Sequence, residues 1–289
     1  MKRTQCNCDE NIKKDFDNCS QSLEWLVIHY DIKQLDNMRK DYQLLCNIEI
    51  ADQQQWITKQ RKQIERDLMR TFPNEPFFQS KHGKEALQRL LFTIAIYDIG
   101  VGFVQGMNFL AGALLFHSEE CVAFWNYVTL YERLQLRDIY LENLPGLSKH
   151  IQIIQLLCMS QQRKLYDMFL KNNVQFENFC IPWFLSMLAM VIPIRSFVRI
   201  LSNQNLVIKP MILSRWIFVY KLILSFLQNL ELICEGPELL MELTSKTYKW
   251  NHCIPLANNL NLDKKFIDLM LESFDQDKQT FLIKLYNGN

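Results

Sequence analysis

Arginine and glutamine carry most of the chemistry this chain can offer. Arg70 stands in Ile64-Glu65-Arg66-Asp67-Leu68-Met69-Arg70-Thr71-Phe72-Pro73, and Gln105 in Val101-Gly102-Phe103-Val104-Gln105-Gly106-Met107-Asn108. A guanidinium neutralises charge that develops on transferring phosphoryl oxygens. A carboxamide orients an attacking water without needing a pKa near neutrality. Neither activity needs a nucleophile or a metal held by the same chain. Taken singly, each residue has a plainer and stronger reading. An arginine in a last helical turn interacts with the final carbonyls, as the helix dipole favours. A glutamine where a glycine-bearing loop enters an apolar helix satisfies free amide groups. The pair is more informative than either member.

Other constellations are poor. No G-x-x-x-x-G-K-[ST] occurs, and Gly100-x-Gly102 is not continued at phosphate-loop spacing. The five histidines, at 29, 82, 117, 150 and 252, are dispersed, with no H-E-x-x-H and no G-x-S-x-G elbow nearby. His252 and Cys253 are adjacent, and adjacent side chains do not normally face each other. Cys6, Cys8 and Cys19 lack a fourth ligand and a nearby histidine, so a closed zinc site is not expected. The nine cysteines are odd in number and mostly set among apolar residues, which reads as reduced core thiols.

The elements that must position Arg70 and Gln105 are helical. Hydrophobic residues make up 49% of the 289, enough for a large core, and eight glycines and eight prolines argue for long helices with few turns. A net charge of +1 gives no electrostatic reason to expect nucleic acid or an anionic membrane as the main partner. Residues 1 to 20 are polar and read as a loose tail. The remainder, 21 to 289, reads as one all-α domain of many helices, in one or two lobes and without a regular repeat. The start carries no signal-peptide pattern and neither end a lipidation pattern, so a cytoplasmic protein is expected. Phe179 to Ile194 and Val101 to Phe116 are apolar but too short to span a bilayer.

Apolar spacing predicts individual helices. One holds Trp56, Ile57, Ile64, Leu68 and Met69 and is stopped by Pro73. Its spacing puts Ile64, Asp67 and Arg70 or Thr71 on one face. The next holds Leu87, Leu90, Leu91, Ile94 and Ala95 and breaks at Ile99-Gly100-Val101-Gly102. A helix restarts near Gln105, where Gly102 and Gly106 permit close approach of another backbone. Ser118, followed by Glu119 and Glu120, is expected to cap the helix of Phe124 and Trp125. Pro145 opens a run to Leu170. Pro182 suits the first turn of another helix, and Pro193 its close or a kink in it. Later helical patterns cover 214–229, 236–247, 262–274 and 276–286.

These residues resemble the TBC domain, the catalytic module of GTPase-activating proteins for Rab-family small GTPases. Ile64-x-x-Asp67-x-x-Arg70-Thr71, with Phe72-Pro73 behind it, resembles that family's arginine-finger motif. Gly102-Phe103-Val104-Gln105-Gly106-Met107-Asn108 resembles its glutamine-finger motif, and the 35 positions from Arg70 to Gln105 match. Tyr97, Glu119-Glu120 with Phe124-Trp125, and Trp183-Phe184 with Pro193 and Arg199-Ile200 extend the similarity over roughly 40 to 245. The departures are Phe103 where a tyrosine is usual, Val104 where a cysteine is usual, and Leu201-Ser202 where a tryptophan and an acid are usual. The opening arginine-tryptophan motif is not clear, with Trp25 as its candidate tryptophan.

The resemblance implies an all-helical domain that binds a GTP-loaded Rab and speeds hydrolysis, so regulating vesicle trafficking. Arg70 and Gln105 would be the catalytic residues. Asp67, Thr71, Gly102, Phe103, Gly106 and Asn108 would support them, with Asp67 positioning the arginine or a nearby loop. GTP and Mg²⁺ would belong to the partner, with no cofactor on this chain, and membranes would be met only through the partner. Two other classes stay open: a non-catalytic module that holds a GTPase as effector or scaffold, and a helical adaptor unrelated to GTPases.

Overall fold

The computed structural model describes residues 34–48, 54–197, 216–231 and 260–275, with 253, 256, 257 and 259. Every regular element among them is helical. They are α1 (Leu35–Cys46), α2 (Gln54–Leu68), α3 (Pro76–Gln79), α4 (Lys81–Tyr97), α5 (Met107–His117), α6 (Glu120–Arg133), α7 (Arg137–Tyr140), α8 (Pro145–Gln161), α9 (Arg163–Lys171), α10 (Glu177–Leu185), α11 (Ile217–Glu231) and α12 (Lys264–Asp275). The chain divides into two compact units. One draws on the described residues of Met1–Glu142 and Pro182–Asn203, the other on those of Asn143–Ile181 and Gln204–Asn289. The segments of Arg70 and Gln105 both lie in the first. The tail expected over 1 to 20, Trp25, Cys6, Cys8, Cys19, His252, Arg199-Ile200-Leu201-Ser202 and the helices expected over 236–247 and 276–286 lie outside the described residues.

The first unit is organised around α4, which packs against α1, α2, α3, α5 and α6. Its apolar positions explain this: Leu87, Leu90, Leu91, Ile94 and Ala95 are all buried, as their helical spacing predicts. The Ser80 hydroxyl caps its start by accepting from the Gly83 N–H at 3.0 Å. Helix α5 is different, because every one of its residues from Met107 to His117 is buried. A helix apolar all round sits inside the protein and has no polar face to show water. Ion pairs stitch the rim of this unit. Glu120, in the first turn of α6, takes the Tyr42 hydroxyl at 2.7 Å and the Arg89 guanidinium at 2.7 Å.

In the second unit α8 packs against α9, α11 and α12, and α9 against α11. Pro145 occupies the first turn of α8, where its missing N–H costs nothing. His150 and Tyr220 meet at 2.6 Å, with the Trp216 ring tilted at 40° against the imidazole, 4.0 Å between ring centres.

Five local expectations need correction. Helix α2 ends at Leu68, four residues before Pro73's neighbour Phe72, because the chain tightens into three-residue turns. The Arg70 N–H reaches the Asp67 carbonyl at 3.2 Å and the Thr71 N–H the Leu68 carbonyl at 3.3 Å. Phe72 then turns left-handed at φ 42°. Met69 leaves the apolar stripe and is 67% exposed. Ser118 does not cap α6; its hydroxyl donates to the Leu114 carbonyl at 2.8 Å and so closes α5. Pro182 sits inside α10, not in its first turn. That helix ends at Leu185, and Met187 and Leu188 (φ 49° and 65°) turn the chain well before Pro193.

Two buried histidines, one in each unit, set an acid limit on stability. Burial pushes His117 down to about 4; nearby Arg195 adds to the fall, and the Ile194 carbonyl, 2.7 Å away, opposes it. Burial and the Lys149 charge push His150 down to about 3. In the unfolded chain both titrate near ~6.5. Below that pH the unfolded state takes up protons that the fold refuses, so stability falls as pH drops from ~6.5 toward about 4. Thermal melts between pH 7 and 5 are expected to show a falling midpoint, and a flat midpoint across that window would contradict this reading.

Candidate functional site

The site is built on the turn that continues α2 and on the loop that leads into α5. Ile64, Asp67 and Thr71 all face inward, Thr71 with no exposed surface at all. Arg70, on the same turn, faces outward. Its Nε lies 2.9 Å and its Nη2 2.8 Å from one Asp67 oxygen, Oδ1. The arginine side chain is 46% exposed and that of Asp67 only 10%. The guanidinium is therefore docked along one edge and presents its remaining N–H donors to solvent. Burial raises the Asp67 carboxyl above its ordinary value, and the Arg70 charge works against that rise. The other oxygen, Oδ2, is buried without a hydrogen-bond partner.

Gln105 lies in the turn before α5, two residues ahead of Met107, and its side chain is exposed. Two glycines shape this loop. Gly102 has φ 70° and Gly106 φ 112°, conformations that side chains with a Cβ rarely adopt. Gly106 is also pressed against Leu185 at the end of α10: a Cβ there would lie 2.8 to 2.9 Å from the Leu185 Cβ, carbonyl carbon and oxygen. Backbone on both sides cannot yield cheaply. Gly106→Ala is therefore expected to cost ~1–3 kcal/mol from conformation alone and more from the clash. A thermal melt that leaves the variant level with the parent chain would rule this out.

Upstream, Asp98 holds the loop to the end of α4. Its carbonyl accepts the N–H groups of Val101 (3.1 Å) and Gly102 (2.8 Å). Its carboxylate takes the Tyr131 hydroxyl at 2.7 Å and Arg137 Nε at 2.8 Å. Burial works to raise the Asp98 carboxyl, but these two donors outweigh it and hold the group below its usual value.

One buried side chain joins the two motifs. Asn108, with no exposed surface, donates from Nδ2 to Thr71 Oγ1 at 2.8 Å and accepts the Gly106 N–H at Oδ1 at 3.1 Å. The Thr71 hydroxyl in turn donates a hydrogen bond to the Asp67 backbone carbonyl at 2.6 Å. Thr71 adjoins Arg70 and Gly106 adjoins Gln105, so two exposed side chains stand on backbones tied by a single carboxamide. The sequence-predicted residues Asp67, Arg70, Thr71, Gln105, Gly106 and Asn108 are thus brought together in one cluster. Gly102 and Phe103 lie on the same loop, and Phe103 is buried. Its ring, in place of the usual tyrosine, carries no hydroxyl to satisfy.

Gln60 was not singled out by sequence. It lies on α2, 5% exposed, and its Oε1 accepts the Phe103 N–H at 2.7 Å. The signal was present: a polar residue on the buried stripe of α2, four residues before Ile64 and seven before Asp67. Among the described residues, no three His, Cys, Asp or Glu side chains cluster as metal ligands. No described helix is long and apolar enough to cross a membrane.

The chain is similar to known proteins over most of its length. The Rab-GTPase-TBC domain family matches residues 18–232. TBC1 domain family member 4 of Mus musculus is 29% identical over 226 residues, 76% of this chain and 16% of that protein. The Rab GTPase-activating protein eat-17 of Caenorhabditis elegans is 31% identical over 144 residues, 49% of this chain and 16% of that protein. The chain thus spans about a sixth of the length of these curated relatives. The crystal structure of the Ypt/Rab-GAP domain of Gyp1p superposes with a TM-score of 0.71 at 22% identity, covering 86% of this chain and 87% of that one. The Chlamydomonas flagellar RabGAP TBC domain gives 0.65 at 19% identity, covering 86% and 82%. At these identities the two structures speak to fold alone. With the family match spanning most of its length, the chain belongs to the Rab-GTPase-TBC domain family.

Proposed function

We propose that this chain accelerates GTP hydrolysis by a Rab-family small GTPase, supplying Arg70 and Gln105 to the partner's nucleotide. In this reading Gln105 orients the attacking water in place of the GTPase's own glutamine. Arg70 neutralises charge on the phosphoryl oxygens as the γ-phosphate departs. Asp67 orients the guanidinium and does not act as a base, since the water's proton needs no acceptor on this chain in a loose transition state. GTP and Mg²⁺ are the partner's, and the chain brings no cofactor of its own. The observation that carries the reading is the Asn108 bridge, which ties the backbones beneath an exposed arginine and an exposed glutamine. A role in vesicle trafficking, in the cytoplasm and on membranes reached through the partner, follows from that activity.

The departures at Leu201 and Ser202 favour a second reading, in which the same surface holds a GTPase without speeding turnover. Single-turnover hydrolysis measured over a panel of GTP-loaded Rab proteins separates the two. Acceleration of at least one Rab supports catalysis. Binding with unchanged hydrolysis across the panel supports a scaffold, and no binding to any Rab removes both.

A further inference from the structure

We propose that Gln60 is a positioning residue for Gln105, and that α2 with its following turn grips the glutamine loop on both sides. The proposal rests on the reading of Gln105 as the water-orienting residue. Before Gln105, the Gln60 carboxamide accepts the Phe103 N–H at 2.7 Å. Gly102 sits directly on that carboxamide, since a Cβ there would stand 3.0 Å from both Oε1 and Nε2. After Gln105, Thr71 and Asn108 secure the Gly106 N–H. Gln60 and Asp67 are seven residues apart, two helical turns, so they project from the same side of α2. The helix that aims the arginine therefore also holds the loop that carries the glutamine.

Gln105 itself has no side-chain partner among the described residues, so its aim depends on the backbone beneath it. A carboxamide that must orient one water gains rate from a backbone already in place, and a misplacement of about 1 Å costs about 10²-fold. Removing the Gln60 acceptor leaves a buried N–H unsatisfied at Phe103 and frees the loop two residues before the reacting group.

The test uses Gln60→Leu, which keeps the bulk and loses the acceptor, and Gln60→Glu, which keeps the acceptor. Single-turnover hydrolysis by a responsive Rab gives a maximal rate constant and a half-saturating concentration. Gln60→Leu is expected to lower the rate constant several-fold or more, up to the loss seen for Gln105→Ala, with half-saturation unchanged, while Gln60→Glu restores most of it. In the Gln105→Ala background Gln60→Leu is expected to add nothing. An equal loss in both backgrounds, or no loss in either, overturns the proposal. Amide exchange on the free protein gives a second arm that needs no GTPase: the Phe103 N–H is expected to exchange faster in Gln60→Leu and to stay protected in Gln60→Glu. Unchanged exchange overturns the proposal. If the parent chain stimulates no Rab, the functional reading falls while the exchange arm still decides whether Gln60 holds the loop. If Gln60→Leu fails to fold, the same measurements are made on Gln60→Met.

Discussion

Arg70→Ala is expected to remove about 10³ to 10⁵ of the stimulated hydrolysis rate, equivalent to roughly 4 to 7 kcal/mol of barrier. The size follows from the role proposed for the guanidinium, which would meet charge that develops only as the phosphoryl group transfers. The fold is expected to persist, because the side chain is 46% exposed and the neighbouring chain of hydrogen bonds runs through Thr71, Asn108 and Gly106 without it. Asp67 loses its counter-charge, and its carboxyl, already raised by burial, rises further. Arg70→Lys is expected to fail almost as badly. In the arginine, Nε and Nη2 share one Asp67 oxygen while the rest of the planar fork points outward. An ammonium can serve the aspartate or the phosphate, but cannot span both in one plane. Phosphate release in single turnover, set beside a thermal melt of each variant, checks the claim. A lysine variant with near-parental activity would show that only a point charge is needed.

Gln105→Ala is expected to lose from several-fold to a few hundred-fold, about 1 to 3 kcal/mol. The loss is smaller than at Arg70 because a water can still attack, only less well aimed. Gln105 makes no side-chain contact that supports the fold among the described residues, so its melting midpoint is expected to match the parent. The affinity for the GTP-loaded partner is expected to change little, since an exposed carboxamide adds little binding in the ground state. Measuring the rate constant and half-saturation separately distinguishes this from a binding defect. A variant that saturates at the parental rate constant would assign the water's orientation to some other group.

The helical plan and the positions of the Arg70 turn and the Gln105 loop were legible because their signals are local. Periodic apolar positions mark α2 and α4, and glycine-rich motifs mark the loop before α5. The relation between the motifs was not legible, because it depends on long-range contacts. Thr71 and Asn108 are 37 positions apart and Gln60 and Phe103 are 43 apart. No spacing rule predicts which buried amide meets which hydroxyl. Ser118 shows the same limit on a smaller scale. A serine before two acids suits a helix start, yet its hydroxyl bonds backward to Leu114 and closes the preceding helix. At Pro182, tertiary packing overrides local preference: Trp183 and Phe184 beside it are almost wholly buried. Their burial holds a short helix that tolerates the missing N–H.

In the function proposed here this chain supplies the glutamine as well as the arginine. A responsive Rab whose own catalytic glutamine has been replaced by alanine tests it most directly, with GTP hydrolysis followed in single turnover. The parent chain is expected still to accelerate this Rab strongly, and Gln105→Ala and Arg70→Ala each to abolish that acceleration. A Rab that becomes unresponsive once its own glutamine is gone would contradict it.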